Sequence, residues 1–174
     1  MDSDSLVNLL IALLLVLLNG FFVAAEFSIV KVRYSQIQLK AAEGNAVAKQ
    51  AEYIIKNLDA YLSATQLGIT LASLGLGFVG ESAMHHIFTD LFNYWDIAFL
   101  QKNIDTISLV SSFLLVTVLH IVFGELVPKS IAIRKSEPTT LFIAYPLHLF
   151  YNIFRPFIWL MNSLSNAFLK MIKI

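Results

Sequence analysis

The amino-acid sequence predicts an all-α integral membrane domain with three transmembrane helices and short juxtamembrane helices. Of its 174 residues, 57% are hydrophobic and only 14% are charged, and the mean hydropathy is +0.72. A soluble domain of this size has no core large enough to bury so much apolar surface. Three stretches are also apolar over the roughly 20 residues that a helix needs to cross a bilayer. We therefore predict a single membrane domain over residues 1–174.

The first predicted span covers residues 6–30, and only a few polar residues interrupt it. Among them are Asn19 and Glu26, which are seven residues apart and so share a helical face. The segment before this span contains Asp2 and Asp4 but no lysine or arginine. Because a cleaved signal peptide begins with a basic region, we expect this span to be retained in the protein.

The second and third predicted spans cover residues 62–80 and 104–127. The second is short and rich in glycine, alanine and serine. The third runs into Gly124-Glu125-Leu126-Val127-Pro128-Lys129, which cannot continue as an ordinary lipid-facing helix because Pro128 supplies no backbone N–H.

Two further segments are predicted as juxtamembrane helices, at residues 34–60 and 139–172. In the first, apolar residues recur at helical spacing and Gly44-Asn45 marks a break, so we expect two short helices against the cytoplasmic membrane surface. In the second, Pro146 and Pro156 interrupt an apolar stretch that also carries a polar stripe. We expect a pair of interfacial or half-buried helices there, and the alternative is a fourth span.

Lysine and arginine near the span ends predict the orientation of the domain. The segment between spans two and three contains only Lys102, and the amino terminus contains neither residue type. The basic residues follow spans one and three: Lys31, Arg33, Lys40, Lys49 and Lys56, then Lys129, Arg134 and Lys135. Cytoplasmic loops carry the excess of positive charge, so we predict an outside amino terminus and a cytoplasmic carboxyl terminus.

Composition and motifs exclude several functional classes. Lysine plus arginine and aspartate plus glutamate number 12 each, so no positive field points to nucleic acid. The absence of cysteine excludes disulfides and thiolate metal sites. No glycine-rich nucleotide loop or Ser/His/Asp arrangement is recognisable, and we therefore do not expect an enzyme.

The strongest candidate for a functional site is the end of the third span. A carboxylate within a span is costly unless it faces protein or water, and Glu125 is such a residue. Pro128 cannot donate to the Gly124 carbonyl, which leaves an oxygen beside that carboxylate, and His120 precedes both on the same segment. Oxygens of these kinds suit Mg²⁺. The alternative is a helix end at which Glu125 pairs with Lys129.

The first and second spans supply further candidates. Glu26 has three alternative roles: a ligand of the ion, a partner of a basic residue, or a residue near enough to the cytoplasmic end of the span to reach water. The second span carries a stripe of polar or small residues at spacings of three and four, beside a stripe of small residues. The first stripe comprises Ser63, Gln66, Thr70, Ser73 and Gly77, and the second comprises Gly68, Ala72 and Gly75. The alternative to a role in transport is that both stripes only bring helices together.

Three stretches resemble the CorC/CNNM family of hemolysin-related magnesium transporters, whose membrane module is the DUF21 domain. They are residues 19–28, which begin Asn19-Gly20 and contain Glu26; residues 62–74, followed by Gly80-Glu81; and residues 123–129, with Gly124, Glu125 and Pro128. The resemblance covers essentially the whole chain. Two departures are that Val23 and Ala25 stand where many relatives have serines, and Ile69 and Thr70 where many have asparagines.

The resemblance implies a function, a site and partners. It implies a homodimer in the bacterial inner membrane that exports Mg²⁺, with Na⁺ entry as the coupling reaction, and paired cytosolic CBS domains beyond this segment. Its metal ligands transfer to Gly124, Glu125 and the neighbourhood of Thr70 and Ser73. Supporting positions along the path are Asn19, Glu26, Gln66, Ser63, His120 and Pro128. Two alternatives remain open: an exporter of polyamines or other organic cations, and a membrane anchor or sensor for cytosolic domains.

Overall fold

The fold was analysed in a computed structural model, which describes residues 3–95 and 103–172. Every regular element in these residues is helical, which confirms the predicted all-α class. The elements are α1 (Ser3–Lys31), α2 (Tyr34–Ala42), α3 (Ala46–Lys56), α4 (Leu58–Trp95), α5 (Ile104–Leu119), a π-helix (His120–Leu126), α6 (Val127–Arg134) and α7 (Ser136–Met171).

Three helical segments in this part of the chain are long and apolar enough to cross a membrane, as predicted. They are Leu6–Lys31, Leu58–Gly80 and Ile104–Arg134. Helix α4 continues beyond the predicted end of its span to Trp95, because residues 81–95 contain neither proline nor glycine to end it. The third segment does not end at Pro128, because a π-helix precedes the proline and the chain continues as α6.

The connector after the first span consists of two short helices, as the sequence predicts. Gly44 lies between them with a φ of 93°, a conformation that residues with a Cβ rarely adopt. The Asn45 side chain then accepts a hydrogen bond of 3.0 Å from the Ala48 N–H and caps the start of α3. The placement of these helices against the membrane surface stays a prediction.

The expected pair of helices after residue 139 is wrong, because α7 is one continuous helix of 36 residues with Pro146 and Pro156 inside it. Each proline removes only one backbone donor, and neighbouring packing can retain a helix under those conditions. Ile143, Leu147 and Ile158 are buried on either side of the two prolines and supply that packing. Among the described residues, α7 is not one of the segments apolar enough to cross a membrane.

The chain divides into two compact units. The first comprises Met1–Gly20 and Ile69–Pro128, and the second comprises Phe21–Gly68 and Lys129–Ile174. The core of the first unit is formed by Ala12, Val16 and Leu76, with Leu15 and Val116 packed against it. In the second unit, Ala64, Leu67 and Ile158 pack with Phe150, Tyr151 and Phe154. There α3 also packs on α7, and an ion pair joins Lys40 to Glu137.

Candidate functional site

Asn19 is at the centre of a buried hydrogen-bond network in the first unit. Its side chain is only 2% exposed. The Asn19 Nδ2 donates to the Gly124 carbonyl oxygen at 2.9 Å, and the Ser73 hydroxyl donates to Asn19 Oδ1 at 3.2 Å. One amide therefore joins α1, α4 and the π-helix. All three of the residues that it links lie within segments apolar enough to cross a membrane, and all of the groups are neutral. Such groups must be satisfied internally where water is excluded.

The π-helix determines which backbone groups are available near Asn19. It covers His120–Leu126, and the Val127 N–H bonds to the carbonyl of Val122, five residues back. Widened turns of this kind are rare and occur frequently at functional sites. Pro128 cannot donate to the Gly124 carbonyl, and the Asn19 amide donates to that carbonyl instead. A carbonyl oxygen has two lone pairs, so contact between Gly124 and an ion stays a prediction.

Two glycines permit the close approach of α1 and the π-helix. A Cβ on Gly124 would lie 2.7 Å from His120 Cδ2 and 3.2 Å from Asn19 Nδ2, so a side chain there would displace the network. A Cβ on Gly20 would lie 2.9 Å from Pro128 Cγ and 3.2 Å from the Phe123 carbonyl oxygen. Asn19-Gly20 of the first motif thus contacts Gly124 and Pro128 of the third.

A cavity of about 220 Å³ lies beside the network in the first unit. Its polar lining comes from Ser73, Thr117 and His120, and the remainder comes from Leu76, Gly77, Phe113 and Val116. The serine belongs to both the cavity and the network. Hydroxyl oxygens, an imidazole and an aromatic ring together could receive a small cation, although no carboxylate among the described side chains lines the cavity.

Two other predicted site residues do not line the cavity. Glu125 and Thr70 are exposed at the surface of the first unit and are not among the residues lining the cavity. Within the described side chains, no group of three or more His, Asp or Glu residues could hold a metal ion.

The remaining candidates lie in the second unit. Gln66 is exposed and Glu26 is partly buried. The Ser63 hydroxyl lies 2.8 Å from Asn162 Oδ1 and 3.0 Å from the Asp59 carbonyl oxygen. The Lys129 ammonium lies 4.5 Å from the centroid of the Phe27 ring, which is a cation–π contact.

Comparison with known proteins identifies the family. A family profile described as the cyclin M transmembrane N-terminal domain matches residues 10–174. This chain belongs to that family. The resemblance of the three motifs to the CNNM (DUF21) membrane module is thereby confirmed.

Several curated bacterial proteins are similar to this cyclin M domain. The UPF0053 protein YrkA of Bacillus subtilis is 46% identical over 157 residues, which are 90% of this chain and 36% of the relative. YhdP of the same organism is 42% identical over 95% of this chain and 37% of its own length. A polyamine export protein of Haemophilus influenzae is 26% identical over 92% of this chain and 36% of its own length. The chain thus spans little more than a third of these relatives.

Sequence reasoning missed two features of this cyclin M domain. Thr117 lines the cavity with His120, and its position three residues earlier on the same helical face was a signal that could have revealed it. Gly20 permits the contact with Pro128, a role that its place in the first motif does not reveal. No local signal pairs Gly20 with a residue more than 100 positions away.

Proposed function

We propose that this domain moves a cation across the bilayer, and that the cation is Mg²⁺ leaving the cytoplasm with Na⁺ as the coupling ion. The observation that carries the proposal is the buried network of Asn19, Ser73 and Gly124 beside a cavity with Thr117 and His120. Polar groups within membrane spans commonly mark a path for ions or substrates. The direction and the coupling ion are expectations from the family resemblance.

The proposed ligands are oxygens, as Mg²⁺ requires. Ser73 lines the cavity, and the Gly124 carbonyl oxygen, which accepts from Asn19, can accept twice. Glu125 supplies the negative charge, and Thr70 supplies a further hydroxyl on α4. Asn19, His120 and Pro128 position this set, while Glu26, Gln66 and Ser63 belong to the proposed path.

Export of a polyamine is the second candidate. The supporting observation is the Haemophilus influenzae relative that is named as a polyamine export protein. In this case Glu26 and Glu125 would bind the ammonium groups of the substrate. A competition experiment between Mg²⁺ and putrescine separates the two candidates. If the site binds only one of them, the other will not displace it.

The architecture of the whole protein is also proposed by analogy with the family. We infer a homodimer in the inner membrane of a bacterium, with an outside amino terminus, a cytoplasmic carboxyl terminus and CBS domains in the complete protein. Cysteines at positions 3, 102 and 170 test the orientation. An impermeant reagent should label only the first two, and external labelling at position 170 would refute the three-span topology. Position 102 and the side chain at position 3 lie outside what the structure describes.

The decisive experiment measures cation affinity of the purified domain by isothermal titration with Mg²⁺, Ca²⁺, Co²⁺ and putrescine. Glu125→Gln removes the charge at constant size and should weaken Mg²⁺ binding tenfold or more, since a factor of ten is only about 1.4 kcal/mol. Pro128→Ala restores a backbone N–H that competes for the Gly124 carbonyl and should also weaken binding. Glu43→Gln is the matched control, because Glu43 is an exposed carboxylate in the turn after α2.

Three outcomes would contradict the proposal. Equal Mg²⁺ affinity in the wild type, Glu125→Gln and Pro128→Ala would make the third motif purely structural. An equal loss in Glu43→Gln would show that the effect is general surface charge. No binding of any cation at millimolar concentration would favour a membrane anchor or sensor.

A further inference from the structure

A second polar cavity lies in the other unit, on the side of α7 that faces the first turn of α4. Its volume is about 280 Å³, and Ala60 and Tyr151 contribute to its wall. The polar groups that line it come from one helix: Arg155, Asn162, Ser163 and Asn166, with the indole of Trp159 beside them. The ion-transport proposal uses none of these residues.

The lining is cationic and rich in hydrogen-bond donors. Within the described part of the chain, the ion pairs join Lys40 to Glu137 and Lys56 to Glu52, so Arg155 has no carboxylate partner there. Asn162 Oδ1 accepts from Ser63 at 2.8 Å, which leaves the amide N–H groups of Asn162 as donors for another partner. No carboxylate of the described residues lines this cavity. The cavity therefore suits an anion.

The outer side of the same helix carries a continuous apolar stripe. Its residues recur every three or four positions and are all exposed: Ile153, Phe157, Leu160, Leu164 and Phe168. Trp159 lines the cavity, is 69% exposed and lies in sequence between the stripe residues Phe157 and Leu160. A tryptophan beside a basic residue is typical of the membrane–water interface, where the ring contacts lipid and the charge meets headgroups.

We propose that this cavity binds the phosphodiester headgroup of an anionic phospholipid, with the acyl chains along the apolar stripe of α7. Arg155 binds the phosphate through its guanidinium, Asn162 donates from its amide, and Ser163 and Asn166 meet the headgroup hydroxyls. Basic pockets beside membrane helices recognise headgroups in this way. Phosphatidylglycerol fits better than a zwitterionic lipid, because no lining carboxylate receives an ammonium group. The inference does not rest on the transport proposal.

The test titrates the whole domain in detergent with short-chain lipids and follows Trp159 fluorescence. The chain contains two tryptophans, so Trp95→Phe leaves Trp159 as the only emitter. Dioctanoyl phosphatidylglycerol should change the emission saturably, and dioctanoyl phosphatidylcholine should bind at least fivefold more weakly. Arg155→Gln should lower the affinity for phosphatidylglycerol about fivefold or more. Asn162→Asp should lower it as well, while retaining the acceptor for Ser63. Lys170→Gln is the control, because Lys170 is an exposed cation on α7 outside the cavity.

Four results would overturn the inference. The first is equal binding of the two lipids by the wild-type domain, which needs no variant and so does not depend on variant folding. The second is unchanged affinity in Arg155→Gln and Asn162→Asp. The third is a response to inorganic phosphate as strong as that to phosphatidylglycerol, which would indicate a site for the free anion. The fourth is a Trp159 signal that follows protein concentration and not lipid, which would indicate that a second copy covers the cavity.

Discussion

Replacing Asn19 with leucine is the most direct test of the buried network. Leucine has a similar size but can neither donate to the Gly124 carbonyl nor accept from Ser73, so bonds of 2.9 and 3.2 Å are both lost. Side-chain hydrogen bonds in membrane proteins average about 0.6 kcal/mol and reach about 1.7 kcal/mol. Because both partners remain buried or partly buried, we expect the free energy of unfolding to fall by about 1–3 kcal/mol.

The same helix offers a matched control for this change. Asn8 lies on α1 within the first span, is partly buried, and its side chain makes no hydrogen bond to another described residue. Asn8→Leu should therefore leave stability unchanged or raise it. Reversible unfolding of the purified domain in mixed detergent–dodecyl sulfate micelles measures both variants. If Asn19→Leu is as stable as Asn8→Leu, the network does not hold the first and third motifs together.

Three further predictions follow from individual contacts. Gly20→Ala should destabilise the domain by about 1–3 kcal/mol in the same assay, because the added Cβ would collide with Pro128 and the Phe123 carbonyl. Gly77→Ala is the control and should not destabilise the domain, because an added Cβ there has nothing within 4 Å. Gly44→Ala should lower connector stability by about 1–2 kcal/mol through its φ of 93°, seen as faster amide exchange in α2 and α3; unchanged exchange would contradict this. The hydrogen bonds that Lys56 and Tyr34 donate to Glu52 lower the pKa of Glu52, so its contribution to stability is present above pH 4.5 and is lost at lower pH. Carboxyl NMR should give Glu52 a midpoint below 4.5 that rises in Tyr34→Phe, and an unchanged midpoint would exclude the tyrosine contact.

The elements that the sequence predicts well are those governed by local rules. Three apolar stretches became three helices long enough to span, because span length depends only on composition and bilayer thickness. The break at Gly44-Asn45 was equally predictable, since a positive φ and a side-chain cap are properties of those residue types. The continuity of α7 through Pro146 and Pro156 was not, because neighbouring packing decides whether a helix continues past a proline.

In the candidate site, too, the features set by local sequence were predictable and the long-range contacts were not. Gly124 and Pro128 could be singled out, because a proline four residues after a carbonyl always removes its donor. The partner that replaces the donor, Asn19, lies 105 residues earlier in the chain. Motif order along the sequence says nothing about which side chains meet, so the pairing of Gly20 with Pro128 and the cavity beside Thr117 required the fold.

The direction of the hydrogen bonds determines which oxygens of the Asn19 network remain as acceptors for a cation. The Ser73 hydroxyl uses its hydrogen on Asn19 Oδ1, so its remaining capacity is the oxygen lone pairs, and Ser73 lines the cavity. The Gly124 carbonyl receives one Asn19 N–H, and a carbonyl oxygen can accept twice. Asn19 thus satisfies both groups without an ion present and leaves each able to accept. A Ser73→Ala variant would keep the Asn19–Gly124 bond but remove one such oxygen. It should therefore weaken cation binding and lower the free energy of unfolding less than Asn19→Leu does. Unchanged cation binding together with a larger loss of stability than in Asn19→Leu would mean that Ser73 only positions Asn19.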